Sequence, residues 1–393
     1  MLIAAARIVT ASATSSGASA VLAPGYVSCA DGRIVAVGSG PPPGKPDLQL
    51  RDGVLVPGFV DLQVNGYFGI ELAAADFADW LTISRRLVET GTTAFMPTFI
   101  TSPLGDMANA LRRAAEFHGK LADGSQGARV LGVHAEGPFI SPRRPGAHNT
   151  EWIVNPDPGA VGTLLAAGGG NLRMVTLAPE RDGALAAIKQ LTAAGVLVSV
   201  GHSDATAQQV SAAARCGAAM VTHLFNAQRP MHHREPGVVG QALADSRLTS
   251  SLIADLHHVS GQVAAIAFAA APGRICLITD AAACAGMPPG GYVLGGEPIE
   301  LAEGDGTPPK RSDGTIAGSA LRMDSAVANV VATGVGLAEA VAAGTRIPAD
   351  LIGRPDLGRI APSAAADLTW LSDDLRTIAT WVGGQQYFGP HLG

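Results

Sequence analysis

The sequence contains few cysteines, and they are far apart in the chain. Cys29, Cys216, Cys276 and Cys284 form no Cys-x-x-Cys pair. Disulfide frameworks and thiolate zinc sites normally need several closely spaced cysteines. The sequence therefore predicts neither, and it favours a reducing compartment, the cytoplasm.

Charged residues are also scarce. They make up 15% of the chain, the formal net charge is -6, and Lys and Arg form no long cluster. A protein that follows a phosphate backbone needs such a cluster, so we expect no nucleic-acid partner. The apolar runs are shorter than the roughly 20 residues that span a bilayer, so we expect no membrane partner. Arg7 interrupts the first apolar stretch, which we predict to be a strand rather than a secretory signal.

The sequence is rich in apolar residues and in the turn-forming residues Gly and Pro. Hydrophobic residues make up 47% of 393 residues, with 49 Gly and 26 Pro. This composition is typical of a compact enzyme with a large core and many tight turns. The length allows one large domain and a smaller one.

Eight short apolar runs recur through the middle of the chain, and helical stretches rich in Ala and Leu separate most of them. Eight strand–helix units in this length indicate a (β/α)8 (TIM) barrel. A doubly wound sheet would usually carry a glycine-rich phosphate turn, and neither GxGxxG nor GxxxxGK[ST] is present. Both chain ends are instead rich in short strands and turns. The eight predicted strands are 56–64, 93–98, 129–135, 173–178, 196–201, 219–223, 251–255 and 275–280.

Polar side chains follow several of these predicted strands. In a barrel, the carboxyl ends of all strands meet at one mouth, so residues far apart in sequence should share one small volume. The side chains in question are Gln63, Asn65, Glu136, His202, His223 and Asp280.

One carboxylate and two imidazoles form a standard ligand set for a catalytic divalent metal ion. Glu136 could be a metal ligand, a base or an ion-paired structural residue. Asp280 could move protons between water and a leaving group, or it could cap a helix beginning at residue 281. Zinc and ferrous iron both suit this ligand set, with Zn²⁺ the first expectation.

Two features near these residues refine the prediction. Gln63 and Asn65 carry amides, which are poor metal ligands beside imidazoles, so we expect one ion rather than two. His134 lies two residues before Glu136 and shares its strand face. It could orient a metal ligand by hydrogen bonding, or it could be a histidine of the barrel interior whose ring nitrogens are simply hydrogen-bonded there.

In their order and spacing, several motifs resemble the N-acetylglucosamine-6-phosphate deacetylases of the amidohydrolase superfamily. This resemblance implies a barrel, residues 56–351, and a small β-sandwich domain formed by residues 1–55 and 352–393. The motifs are "PGFVDLQVNG", "PTFITS", "HAEGPFISPRRPGAHN", "VTLAPE", "GHSDAT", "THLFNAQRPMHHREPG", "IADLHHV", "LITDA" and "GTIAGSALRM".

The resemblance also implies roles for individual residues. It makes Glu136, His202 and His223 the metal ligands and Asp280 the residue that exchanges protons with water and the leaving amine. His148 is implied to polarise the acetamide carbonyl, with a surface loop position as the alternative.

Further residues are implied to bind the sugar phosphate. These are Ala147, Asn226, Ala227 and His258, together with Arg234. Arg234 is implied to reach the phosphate in a neighbouring subunit of a homodimer, although it could also be a solvated or ion-paired loop residue. An arginine fork suits a phosphate group.

The sequence departs from the family pattern at Leu256 and His257, and His232 and His233 add two imidazoles beside Arg234. The expected reaction is deacetylation of N-acetylglucosamine 6-phosphate. The alternatives are N-acetylgalactosamine 6-phosphate as substrate, another amidohydrolase activity, and a barrel without catalytic activity.

Overall fold

The computed structural model describes residues 1–12, 20–304 and 306–390. Its strands, in chain order, are β1 (Leu2–Ala5), β2 (Ile8–Val9), β3 (Val21–Leu22), β4 (Gly25–Ala30), β5 (Arg33–Ser39), β6 (Leu48–Leu50), β7 (Val54–Pro57), β8 (Phe59–Val64), β9 (Gly66–Tyr67), β10 (Ile70–Glu71), β11 (Thr92–Ile100), β12 (Arg129–Val130), β13 (Val133–Glu136), β14 (Leu172–Leu177), β15 (Leu197–Val200), β16 (Met220–Val221), β17 (Thr249–Ile253), β18 (Ile275–Ile278), β19 (Gly290–Leu294), β20 (Glu297–Leu301), β21 (Leu368–Leu371), β22 (Thr377–Val382) and β23 (Gln385–Phe388).

The helices lie mainly between the barrel strands. They are α1 (Phe77–Leu87), α2 (Leu104–Leu121), α3 (Pro158–Gly168), α4 (Ala184–Ala193), α5 (Ala207–Arg215), α6 (Gly237–Ala244), α7 (Gly261–Ala270), α8 (Met323–Ala332), α9 (Leu337–Ala343) and α10 (Arg346–Leu351). Short 3-10 turns cover Val88–Thr90, Thr150–Trp152 and Gly169–Asn171. Within the described ranges, no helix is both long and apolar enough to cross a membrane.

The central sheet is a nearly closed parallel barrel, as predicted. Its strands are β8, β11, the pair β12 and β13, and then β14 to β18, each hydrogen-bonded to its neighbour in parallel. Each of the eight predicted runs contains or overlaps one of these strands. The barrel prediction is therefore confirmed, with the third run split into two short strands.

Where β8 meets β18, the Asp280 N–H donates to the Gln63 carbonyl at 2.9 Å and an isolated parallel bridge joins Val64 and Ala281, and the side chain of Asp61 reinforces this junction. The carboxylate of Asp61 accepts hydrogen bonds from the Thr279 hydroxyl at 2.5 Å and the Thr279 N–H at 3.2 Å. It also accepts the Gln63 N–H at 3.2 Å. Burial raises the pKa of Asp61 to about 7, although these hydrogen bonds lower it.

The two chain ends form two further sheets that face each other. One has the order β5-β4-β1-β6 and the other β23-β22-β21-β7-β2-β3. Ile3, Val27 and Ile34 of the first pack in one buried core with Leu55 and Trp381 of the second. This arrangement is the small β-sandwich that was expected. The exact boundaries at residues 55 and 352 stay a prediction, and positions 13–19 and 391–393 lie outside the described residues.

Local sequence explains where some of the helices begin. Thr206 caps α5, and its hydroxyl accepts the Gln209 N–H while the Gln209 side chain accepts the Thr206 N–H. Among the described residues, no helix begins directly after Asp280: Ala281 forms isolated β-bridges, a turn covers residues 283–286, and the next helix starts at Met323. The helix-cap interpretation of Asp280 is therefore wrong.

The β8–β18 contact predicts the effect of substituting Asp61. Asp61→Ala leaves the N–H groups of Gln63 and Thr279 without this acceptor and the Thr279 hydroxyl with only the Gln63 carbonyl at 3.4 Å, and it should lower the free energy of unfolding by about 3 kcal/mol. Asp61→Asn keeps one acceptor oxygen and should cost less. Denaturant and thermal unfolding would measure both, with the exposed Asp52→Ala as control. An Asp61→Ala protein as stable as wild type would contradict this role.

Candidate active site

The predicted polar residues do converge at the carboxyl end of the barrel. Glu136 is the last residue of β13, and His202 lies two residues after β15. His223 and Asp280 lie two residues after β16 and β18. All four side chains are buried. Residues spread over more than a third of the chain therefore share one small volume.

Three nitrogen and oxygen atoms lie close enough to hold one ion. Oε1 of Glu136 is 3.2 Å from Nε2 of His202 and 3.0 Å from Nε2 of His223, and these two nitrogens are 3.0 Å apart. Ligands at zinc bond lengths in a tetrahedron are separated by about 3.3 Å. The spacing thus matches three corners of such a site.

The protonation of His202 provides a second test of this fit. Its Nδ1 donates to the Arg144 carbonyl oxygen at 3.1 Å, since a carbonyl can only accept. Burial lowers the pKa of His202 to about 4, so the ring is neutral and Nε2 carries a lone pair. That lone pair faces the Glu136 carboxylate. A divalent metal ion between these two acceptors would satisfy both of them.

His148 is a fourth group near this cluster. The potential ligand atoms of Glu136, His148 and His202 lie within 4.8 Å of one another. Nε2 of His148 is 3.7 Å from Oε2 of Glu136, which is farther than the corresponding contact of His223. The distances therefore favour His223 over His148 as the third ligand.

Two amides hold the carboxylate of Asp280. Its Oδ1 accepts hydrogen bonds from Nδ2 of Asn65 at 2.7 Å and from Nε2 of Gln63 at 3.0 Å. Burial and the negative charge of Glu136 raise the pKa of Asp280 above its usual value. A carboxyl group with a raised pKa can both accept and return a proton near neutral pH.

Gln63 also links Asp280 to Glu136. Its Nε2 donates to Oε1 of Glu136 at 3.1 Å, so one amide nitrogen contacts both carboxylates. The amide thus stands between the two negative charges as a neutral donor. The number of ions stays a prediction.

A carboxylate orients His258 as well. Nδ1 of His258 donates to Oδ2 of Asp255 at 2.6 Å, and Oδ1 of Asp255 accepts the backbone N–H groups of His257 and His258. Burial of Asp255 would raise its pKa, but these hydrogen bonds hold the pKa below its usual value. The other ring nitrogen of His258 is left for a ligand.

The backbone is strained at several of these positions. His202, His223 and Asp280 have positive φ angles of 47°, 30° and 53°. Non-glycine residues rarely adopt such angles, and they concentrate at functional sites. Gly146 has φ of 56°, and a Cβ there would lie 3.0 Å from Cε1 of His202. Glycine at position 146 therefore lets the loop that carries His148 pass close to the ring of His202.

These side chains line a cavity of about 270 Å³. An insertion between β18 and α8, which contains the hairpin β19–β20, supplies one wall through Leu294, Thr315 and Ile316. The predicted residues at the cavity wall are Asn65, Glu136, Ala147, His148, His202, His223, Asn226, Ala227, His258 and Asp280.

Three predicted residues lie elsewhere. Gln63 is buried beside the cavity and touches both carboxylates. His134 is fully buried, and its ring nitrogens contact the hydroxyls of Thr98 at 3.3 Å and Thr176 at 2.7 Å. These contacts favour the barrel-interior interpretation of His134. Arg234 is exposed on its loop, away from the cavity of its own chain.

The sequence reasoning missed several contributors. Thr101 contacts His148, Asp255 contacts His258, and the Arg144 carbonyl contacts His202. Asp255 ends the seventh predicted strand, so the strand-end argument could have found it. Nothing in the local pattern marks Thr101 or a backbone carbonyl.

The ligand assignment predicts metal content. Purified protein should carry about one divalent ion per chain, and His223→Ala should lose most of it because two ligands remain. His148→Gln should retain the ion, and it serves as the matched control. Elemental analysis of the three proteins would measure this. Loss of the ion in His148→Gln with retention in His223→Ala would reverse the two assignments.

Comparisons with known proteins identify the family. Residues 54–388 match the amidohydrolase family. The chain is 39% identical over 308 residues to N-acetylglucosamine-6-phosphate deacetylase of Bacillus subtilis (strain 168), covering 77% of each protein. It is 38% identical over 361 residues to N-acetylgalactosamine-6-phosphate deacetylase of Escherichia coli O157:H7, covering 91% of this chain and 93% of the relative.

A solved structure is similar throughout. It is a variant of N-acetyl-D-glucosamine-6-phosphate deacetylase from Mycobacterium smegmatis in complex with N-acetyl-D-glucosamine 6-phosphate. The TM-score is 0.90 at 36% identity, and the match covers 98% of this chain and 99% of that one. The family match and these relatives establish that the chain belongs to the amidohydrolase family and is a metal-dependent hydrolase of amide bonds.

Proposed function

We propose that this enzyme removes the acetyl group from N-acetylglucosamine 6-phosphate, giving glucosamine 6-phosphate and acetate. One observation carries the proposal. A single cavity of about 270 Å³ brings together three candidate metal ligands, a carboxyl group with a raised pKa and an additional imidazole. The relatives named above that act on N-acetylated amino-sugar phosphates support this substrate class.

The metal site in this proposal consists of Glu136, His202 and His223. The proposed ion is Zn²⁺, and Fe²⁺ suits the same ligands. When bound, such an ion polarises a carbonyl group and lowers the pKa of water to about 7.

Asp280 is the proposed acid and base. The amides of Gln63 and Asn65 occupy Oδ1, which leaves Oδ2 to accept a proton from the attacking water. The protonated carboxyl group then donates that proton to the sugar nitrogen, which departs as a neutral amine. The hydrogen bonds at Oδ1 keep the carboxyl group in one orientation for both transfers.

His148 is the proposed donor to the acetamide oxygen. Its ring is buried at the cavity wall, 3.7 Å from Glu136. A fixed donor at this point stabilises the negative charge that develops on the oxygen as water attacks. Ala147, beside it, lies at the wall where the sugar would pack.

The phosphate group of the substrate is proposed to bind where Asn226, Ala227 and His258 line the cavity. The Asn226 side chain donates to the carbonyls of His223 and Leu224, so it shapes the turn. Ala227 has φ of 49°, and among the described residues its N–H has no hydrogen-bond partner. That N–H and the ring of His258 are available to an anionic oxygen.

Arg234 of a neighbouring subunit in a homodimer would also contact the phosphate group. Its loop is held firmly, because Oε1 of Glu235 accepts the N–H groups of Ala207 at 2.8 Å and Gly237 at 3.1 Å. These contacts tie the loop to the starts of α5 and α6. Arg234 itself is exposed and is therefore available to another chain.

N-acetylgalactosamine 6-phosphate is the second candidate substrate. The relative from Escherichia coli O157:H7, an N-acetylgalactosamine-6-phosphate deacetylase, covers more of this chain than the Bacillus subtilis relative does.

We propose that the enzyme is located in the cytoplasm. All four cysteines are free, which fits a reducing compartment.

Acetate release from three sugars tests the proposed reaction. N-acetylglucosamine 6-phosphate should be hydrolysed with a kcat/KM about 100-fold above that of unphosphorylated N-acetylglucosamine, because charged hydrogen bonds to the phosphate are lost. Asp280→Asn should keep its metal and lose about 1,000-fold or more in kcat. Near-normal turnover in that variant, or equal rates without phosphate, would refute the proposal. Preference for the galactosamine epimer would favour the second candidate.

Paired variants test the shared site. In a heterodimer of Asp280→Asn and Arg234→Ala chains, one site has both wild-type residues if Arg234 acts across the interface. Such a heterodimer, purified through two different tags, should show about half of wild-type activity. A heterodimer of wild type with a chain carrying both substitutions should be nearly inactive. The reverse pattern would place Arg234 in the site of its own chain.

A further inference from the structure

Thr101 lies directly behind His148. It follows β11 and its side chain is buried. Its Oγ1 is 2.8 Å from Nδ1 of His148, and its backbone nitrogen is 3.3 Å from the same atom. Oγ1 is also 3.3 Å from the Glu136 carbonyl oxygen. One residue therefore presents two groups to one ring nitrogen.

The backbone group decides the polarity of this contact. The N–H of Thr101 can only donate, so Nδ1 of His148 must carry a lone pair. A neutral ring with a lone pair on Nδ1 carries its hydrogen on Nε2. The alternative tautomer would place two N–H groups against each other.

The far side of the His148 loop is also fixed. Nη1 of Arg311 donates to the Ala147 carbonyl at 3.0 Å. Glu297 contacts Arg311 at 3.5 Å and accepts from Asn149 at 3.3 Å. The insertion thus holds the residues on both sides of His148, while Thr101 determines which ring nitrogen faces the cavity as a donor.

We propose that Thr101 is a positioning residue that fixes His148 as the Nε2–H tautomer, so that His148 donates a hydrogen bond into the cavity and does not bind metal. This inference rests on the proposed function, since the donor is useful only if an acyl oxygen is bound there. Thr101 acts through His148 and needs no contact with substrate.

Two substitutions separate the hydroxyl from the bulk of the side chain. Thr101→Val removes the shorter of the two contacts to Nδ1 and should lower kcat about 10-fold, while KM and metal content stay near wild type. Thr101→Ser restores the hydroxyl and should remain within about twofold of wild type. Thr380→Val is the control, since Thr380 is equally buried and its hydroxyl donates to the Val88 carbonyl far from the site.

Ring ¹⁵N shifts of zinc-loaded protein test the tautomer directly. The His148 signals can be assigned by their loss in His148→Gln. In wild type, Nδ1 should show the shift of an unprotonated nitrogen and Nε2 that of a protonated one. In Thr101→Val, the two shifts should move toward each other as the tautomers mix.

The outcomes are distinct. A protonated Nδ1 in wild type would overturn the inference, even if Thr101→Val does not fold. So would wild-type kcat and wild-type shifts in Thr101→Val. The shift measurement needs no turnover, so predicted shifts without deacetylation would overturn the proposed function while supporting the role of Thr101 in setting the tautomer.

Discussion

The site depends on one buried charge, the carboxylate of Glu136. A buried carboxylate without partners costs several kcal/mol, so the fold must supply donors or a cation around it. Its oxygens are contacted by groups from four separate segments of the chain: Gln63, His148, His202 and His223. Gln63 lies in β8, His202 and His223 follow β15 and β16, and His148 lies in the loop after β13, so pairing this carboxylate also brings the barrel mouth together.

Hydrogen-bond donors also contact the other two acidic residues at this end of the barrel, Asp280 and Asp61. Gln63 stands between Glu136 and Asp280 and donates to both, and Asn65 donates to Asp280. Asp61 lies below them and accepts hydrogen bonds from backbone and hydroxyl groups at the junction of β8 and β18. Burial raises the pKa values of both aspartates. The neutral amides thus donate to the carboxylates of Glu136 and Asp280 and offset the repulsion between them.

The sequence predicted the parts of this site that follow from regular structure. Apolar runs of strand length revealed the eight strands, and the rule that parallel strands end at one mouth brought together Glu136, His202, His223 and Asp280. It could not reveal contacts between loops. The Arg144 carbonyl is 58 residues from His202 in sequence, and Thr101 is 47 residues from His148. A backbone carbonyl and a threonine carry no chemical signature. The helix-cap interpretation of Asp280 failed because the insertion follows β18 directly.

These loop contacts have a common physical effect on the imidazoles of the cavity. In His148, His202 and His258, one ring nitrogen meets a group whose polarity is known: an N–H, a carbonyl and a carboxylate, respectively. Each contact determines which nitrogen carries hydrogen, and therefore what the opposite nitrogen offers to a ligand. His223 is the exception among these rings, because its buried Nδ1 has no partner within the described chain. Its ring is instead held by strained backbone, with φ of 30°, and by the contacts at Nε2. The tautomer of His223 therefore depends on the group that meets its Nε2, whereas contacts within the chain favour one tautomer in each of the other three rings.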